Sequence, residues 1–141
     1  MKPPGIKQTF KKHERLRSSK MIRLLFAHGN TFLIHPFRVN WLIGKQKGLS
    51  PASVMIGVSR KSFRNASDRN HLKRLCREAY RRNKHSLYKH LEEHELSCNF
   101  SIVYIGKSKA DYSVIEKKII ILIQRLISEL EIYSHQNKTR S

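Results

Sequence analysis

The sequence predicts an α+β fold, a two-layer sandwich in which helices cover a small sheet. Three observations predict it. The chain has 141 residues, the size of one ordinary domain and enough to bury about two-thirds of its unfolded surface. Its apolar residues switch between the two-residue period of strands and the three-to-four-residue period of helices. The elements run in the order helix, strand, strand, helix, strand, helix, which two layers around one core accommodate.

Residues 1–12 hold Pro3, Pro4, Gly5 and several lysines without apolar periodicity and read as a flexible basic arm. A single domain is expected over residues 13–134. Within residues 18–28, Met21, Leu24 and Leu25 mark a short amphipathic helix, opened by a serine cap and stopped by Gly29. Phe37, Val39, Trp41 and Ile43 then alternate with Arg38, Asn40 and Leu42, the pattern of a strand with one buried face, and residues 45–51 supply a turn. A second strand fits residues 54–58. A polar link over residues 59–67 leads to the most charged segment of the chain, which reads as a helix. Residues 100–105 are β-formers closed by Gly106, a third strand, and Asp111 or Ser113 can cap a long final helix. On that helix Ile115, Ile119, Leu122, Leu126 and Leu130 repeat at three and four residues, more simply a core-facing stripe than a zipper for a partner. Residues 135–141 are expected to form a flexible tail.

The charge is lopsided: 29 Lys and Arg against 10 Asp and Glu give a net charge of +19. Such an excess repels itself in the compact state and normally persists where the partner is a polyanion. The longest apolar run, residues 119–123, falls far short of the ~20 residues that span a bilayer, and the N-terminus has no apolar signal core. A cytoplasmic protein without a membrane partner is therefore expected. Cys76 and Cys98 form no CxxC pair and read as reduced packing thiols.

The charged helix is where this excess concentrates. With Arg69 at zero and ~100° per residue, Lys73, Lys84, Arg77, Asn70, Arg81 and Arg74 fall between about 40° and about 140°. Leu75, Ala79, Leu72 and Cys76 fall between about 240° and about 340°, so the helix has an apolar back and a basic front. Arg60, Lys61 and Arg64 extend the basic surface into the preceding loop. Between Arg60 and Lys89 only Asp68 and Glu78 offset eleven Lys and Arg, whereas ordinary solvated faces mix signs. Phosphate neutralisation with counterion release accounts for so one-signed a face. Asp68 is expected at or near the helix cap, where a carboxylate suits the positive end of the helix dipole.

RNA fits better than DNA. No helix precedes this one at a short turn, as a helix-turn-helix needs, and no zinc-finger spacing occurs. Phe26, Phe37 and Trp41 are candidates for base stacking, although aromatic residues at these periodicities more often point inward. No set of carboxylates suits a two-metal nuclease, so neither a catalytic residue nor a protein-held metal is expected. Glu92, Glu93 and Glu95 read as a solvated acidic patch. His90 and His94, without a clear third ligand, read as surface histidines rather than a zinc site. There is no Gly-rich phosphate loop.

The run Asn65, Ala66, Ser67, Asp68, Arg69, Asn70, His71, Leu72, Lys73, Arg74, Leu75, Cys76, Arg77, Glu78, Ala79, Tyr80 closely resembles the signature segment of the bacterial ribonuclease P protein component family. Arg15, Leu16, Leu25, Phe26 and Gly29 resemble that family's first helix, and Ile56, Gly57, Val58, Ser59, Arg60 and Lys61 resemble the strand leading to its basic loop. The likeness spans roughly residues 10–130. It implies a ribosomal-protein-like α/β sandwich with a mixed sheet, whose strand-helix-strand unit crosses over with the left hand, against the usual preference. It implies a protein subunit that joins a catalytic RNA and helps remove the 5′ leader of precursor tRNA, inactive alone, with Mg²⁺ bound mainly by the RNA. The RNA-binding set it implies, with the basic loop and front, is Arg60, Lys61, Arg64, Asn65, Arg69, Asn70, Lys73, Arg74, Arg77 and Arg81. Asn65 matches a loop asparagine near expected metal and substrate contacts. Phe26 matches an aromatic of the cleft that holds the leader; Ile22 stands where the family often has another, and Trp41 is a substitute platform. The sequence departs from the family at His71, which replaces a usual arginine, and in the loop Ser62-Phe63-Arg64, where many members have glycine. A structural RNA-binding protein, such as a ribosomal protein with no role in cleavage, would explain the charge equally well.

Overall fold

Among the described residues, four strands and four α-helices are assembled from the alternations in the sequence. The structure, a computed structural model, describes residues 9–45 and 50–139. After a short 3₁₀ turn at Lys12–Glu14, the order is α1 (Ser19–His28), β1 (Asn30–Ile34), β2 (Phe37–Lys45), β3 (Ala52–Val58), α2 (Ala66–Asn83), α3 (His85–Glu93), β4 (Leu96–Tyr104) and α4 (Tyr112–Thr139). The sheet order is β1-β2-β4-β3. The β1–β2 and β2–β4 pairs are antiparallel and the β3–β4 pair is parallel, so the sheet is mixed and α2 and α3 form the crossover between its parallel strands.

The register separates two faces. Ile34, Phe37 and Tyr104 share a row, as do Phe32, Val39 and Ile102, and Trp41 and Phe100. With Ala52, Val54 and Val58 these residues form the floor of the main core, which Leu72, Cys76, Ala79 and Tyr80 of α2 cover together with Ile115, Ile119, Leu122, Leu126 and Leu130 of α4. The stripe read on the last helix is thus core. Rows one residue out of phase, such as Thr31, Asn40 and Ser101, look the other way. There α1 lies against β2 and β4, and its buried Leu25 stands apart from the main core.

The helix ends follow local chemistry. Ser18 caps α1, its Oγ accepting from the Met21 N–H at 3.2 Å. Gly29 ends α1 with an ordinary negative φ, and its need for glycine is one of space, since a Cβ there would stand 2.3 Å from the Leu25 carbonyl oxygen. Tyr112 opens α4 directly after Asp111, whose carbonyl accepts from the Ile115 N–H.

Several expectations change. The sequence reading gives three strands, but Asn30–Ile34 is a fourth, an edge strand whose two-residue turn at His35 and Pro36 left it only five residues of alternation. The charged segment is two helices, broken at Lys84. The last helix runs through His135 to Thr139, so residues 135–139 continue it where a tail was expected. Of the arm, residues 1–8 lie outside the described residues. Thr9 to Lys12 are held against the domain: the Phe10 ring meets Tyr80 edge-on at 5.6 Å, and Lys84 donates to the Thr9 carbonyl. Most of the turn expected at residues 45–51 also lies outside the described residues.

Candidate nucleic-acid interface

Asn65 sets the start of α2. Its Oδ1 accepts from the Ser67 N–H at 3.1 Å and from the Ser67 hydroxyl at 3.0 Å, so Asn65, and not Asp68, is the cap. Asp68 sits one turn in, where it still meets the helix dipole, and pairs at 2.5 Å with Lys109 from the β4–α4 connection. Arg69 turns back to the loop, its Nη1 donating to the Phe63 carbonyl at 2.7 Å and the Arg64 carbonyl at 2.8 Å. The loop is also sewn to the end of β4. Ser59 N–H donates to the Tyr104 carbonyl, the Ser62 hydroxyl donates to the Ile105 carbonyl, and the Phe63 ring lies 6.0 Å from that of Tyr104.

The front of α2 forms as the wheel requires. All ten residues of the expected set, from Arg60 to Arg81, are at least partly exposed, while Leu72, Cys76, Ala79 and Tyr80 are buried behind them. Among the described residues none of Arg60, Lys61, Arg64, Lys73, Arg74 and Arg77 is ion-paired to a carboxylate. Arg81 differs: it forms a two-point pair with Glu78, at 2.5 and 3.1 Å, which holds the Glu78 carboxyl below its usual range. His71 is exposed at 3.2 Å from Arg74, off the core and beside the basic face. Lys84, which the wheel places on this front, is instead 5% exposed and turned inward to Glu14. The helix ends there, so the angle no longer applies. Two cations that the sequence reading passed over, Lys107 and Lys109, stand exposed beside the loop and extend the basic surface. A Lys-x-Lys pair just after Gly106 was the available signal.

The second sheet face offers a different surface. Ile22 is half-buried on α1 and Phe26 is 43% exposed, beside a row of polar positions. Asn40 Nδ2 donates to Thr31 Oγ1 at 3.0 Å, while Asn40 Oδ1 and Ser101 Oγ are buried without a partner. Arg38, one row away, is exposed. Trp41 does not belong to this groove. Its parity puts it on the main-core face, 3% exposed, with its ring edge-on to Tyr133 at 6.3 Å. Phe37, fully buried on that same face, is likewise no stacking platform.

Burial pushes the Cys76 thiol up to about 12 and the Cys98 thiol higher still, and both are free thiols. The His90 and His94 rings lie 4.3 Å apart, and burial followed by its neighbour's charge holds His90 below the usual histidine range. Among the described residues no three His, Cys, Asp or Glu side chains come together to hold a metal ion, and the carboxylates nearest the basic face, Asp68 and Glu78, are each engaged by a cation. No helix among the described residues is long and apolar enough to cross a membrane.

Comparison with known proteins gives the geometry its relatives. The Ribonuclease P family model matches residues 10–127. A ribonuclease P protein component from Porphyromonas gingivalis is 34% identical over 106 residues, which are 75% of this chain and 77% of that protein. One from Chlorobium phaeobacteroides is 32% identical over 133 residues, covering 86% of this chain and 91% of the relative. The solved RNase P protein from Thermotoga maritima superposes with a TM-score of 0.59 at 26% identity, covering 79% of this chain and 96% of the other. The Staphylococcus aureus RNase P protein, at 19% identity and the same TM-score, shares the fold. With the matched segment spanning α1 to most of α4 and the basic helix inside it, the chain belongs to the ribonuclease P protein family.

Proposed function

We propose that this chain is the subunit that holds the catalytic RNA of ribonuclease P and the single-stranded 5′ leader of precursor tRNA, while the RNA breaks the phosphodiester bond. The observation that carries this reading is the cationic front of α2, where Lys73, Arg74 and Arg77 have no carboxylate partner among the described residues, together with the exposed Arg60, Lys61 and Arg64 of the preceding loop and a back docked on the core. Phosphates there would replace a counterion atmosphere, and their contacts would fix register without reading bases. The α1 face, with Phe26 and Ile22 over a polar strand row and Arg38 nearby, suits a single strand, whose bases stack on rings while its backbone meets cations. In this reading Mg²⁺ is held mainly by the RNA. The expected compartment is the cytoplasm.

A ribosomal-type structural role gains no support from relatives named as ribonuclease P protein components. Reconstitution tests the reading. The purified chain alone should leave precursor tRNA intact, and adding it to the cognate RNA subunit with Mg²⁺ at physiological salt should raise substrate affinity and turnover. Unchanged turnover and affinity on addition of the chain would refute it.

A further inference from the structure

We propose that Arg69 is a positioning residue rather than a phosphate ligand, and that it acts by fixing the loop that presents Arg60, Lys61 and Arg64. This rests on the reading of the α2 front and its loop as the RNA interface. Both Arg69 Nη1 hydrogens are spent on backbone carbonyls, Phe63 at 2.7 Å and Arg64 at 2.8 Å. These are charge-assisted bonds at the short end of the N–H···O range. The loop's entry is already tied to β4 through Ser59 and Ser62, and Asn65 caps the helix at its exit. Between them, Phe63 and Arg64 have only Arg69 to hold their carbonyls among the hydrogen bonds of the described residues. Three cations within five positions repel one another, and a loop free to relax would spread them. The clamp would keep them at the start of α2, the helix that carries the partly or fully exposed Lys73, Arg74 and Arg77.

A double-mutant cycle separates clamp from ligand. Affinity for the cognate RNA subunit is measured for Arg69→Ala, for a loop variant carrying Arg60→Ala, Lys61→Ala and Arg64→Ala, and for the combination, at several salt concentrations. A clamp loses its effect once the loop cations are gone: Arg69→Ala should weaken binding roughly tenfold in the natural background and less than about twofold in the loop variant. Amide hydrogen exchange of residues 62–64 in the free chain should quicken in Arg69→Ala, with the melting temperature of the domain little changed. Equal fold-losses in both backgrounds, or unchanged exchange, would overturn the clamp. Arg69→Gln, which keeps an amide donor without the charge, provides a second variant: it should retain more loop protection than Arg69→Ala, and equal exchange in the two variants counts against the clamp. The interface reading fails separately, if Lys73→Ala and Arg74→Ala leave RNA affinity and its salt dependence untouched while the loop exchange responds as described.

Discussion

Glu14 and Lys84, 70 residues apart, meet in the interior at 4% and 5% exposure and tie the start of the domain to the junction of α2 and α3. Tyr88 donates to the same carboxylate at 2.6 Å, the Lys11 N–H donates to its other oxygen at 2.6 Å, and the ammonium lies 5.0 Å from the Tyr88 ring centroid. Burial alone would raise the Glu14 carboxyl; the Lys84, Tyr88 and Lys11 hydrogen bonds outweigh it and hold the group below its ordinary value of 4.5. Removing one partner of a buried pair leaves the other uncompensated, so Glu14→Gln should lower stability by about 3–5 kcal/mol near neutral pH. Because the folded value lies below the unfolded one, this contribution is complete above the unfolded value and fades as pH falls through the folded one. Urea unfolding of both proteins between about pH 7 and about pH 3 checks it: the gap should narrow on acidification. A gap independent of pH would mean that the carboxylate charge is not what stabilises. None of this pair was legible in the sequence, since no local spacing links the two residues. Asn65 was likewise hidden behind Asp68: both are good capping types, and three residues' difference in helix start decides which one caps. For Trp41 the strand parity was readable in advance, and it already argued for the core that the structure shows.

At the scale of elements, α2 combines both halves of the fold's logic, a back that completes the core and a front that is left to the partner. If Lys73, Arg74 and Arg77 each neutralise a phosphate, changing all three to alanine should lower the slope of log K against log salt for RNA binding by about 2–3 units. Their exposure and the buried residues behind them predict little change in the unfolding midpoint, and a slope equal to that of the natural chain would place the interface elsewhere. The α2 faces were legible because an 18-residue helix samples the helical period five times over. Short elements were not. The five residues of β1 give too few alternations to count, and the break between α2 and α3 carries neither glycine nor proline; it falls where Lys84 turns inward, a tertiary cause. The parallel β3–β4 pairing was also beyond the reach of periodicity, which records a strand's faces but not its neighbours; resemblance supplied the mixed sheet.

Across the whole molecule the net charge of +19 acts in opposite directions on the free chain and on its complex. In the free chain Arg60, Lys61, Arg64, Lys73, Arg74 and Arg77, which have no carboxylate partner among the described residues, repel one another. Added salt shortens the Debye length from about 10 Å at 0.1 M to about 3 Å at 1 M and relieves that repulsion, so the free protein should melt at a higher temperature as salt rises. RNA relieves it by binding the native state, a stabilisation that grows as RT ln(1 + [L]/Kd), but the same salt raises Kd steeply. The melting temperature of the RNA complex should therefore fall with salt until it meets the rising curve of the free chain. Thermal melts of both species over about 0.05–0.5 M KCl, followed by a protein-specific signal such as Trp41 fluorescence, test this. A free-chain melting temperature that falls over this range would show that ion pairing, and not like-charge repulsion, dominates the surface, and the α2 front would then have to be reckoned as internally compensated.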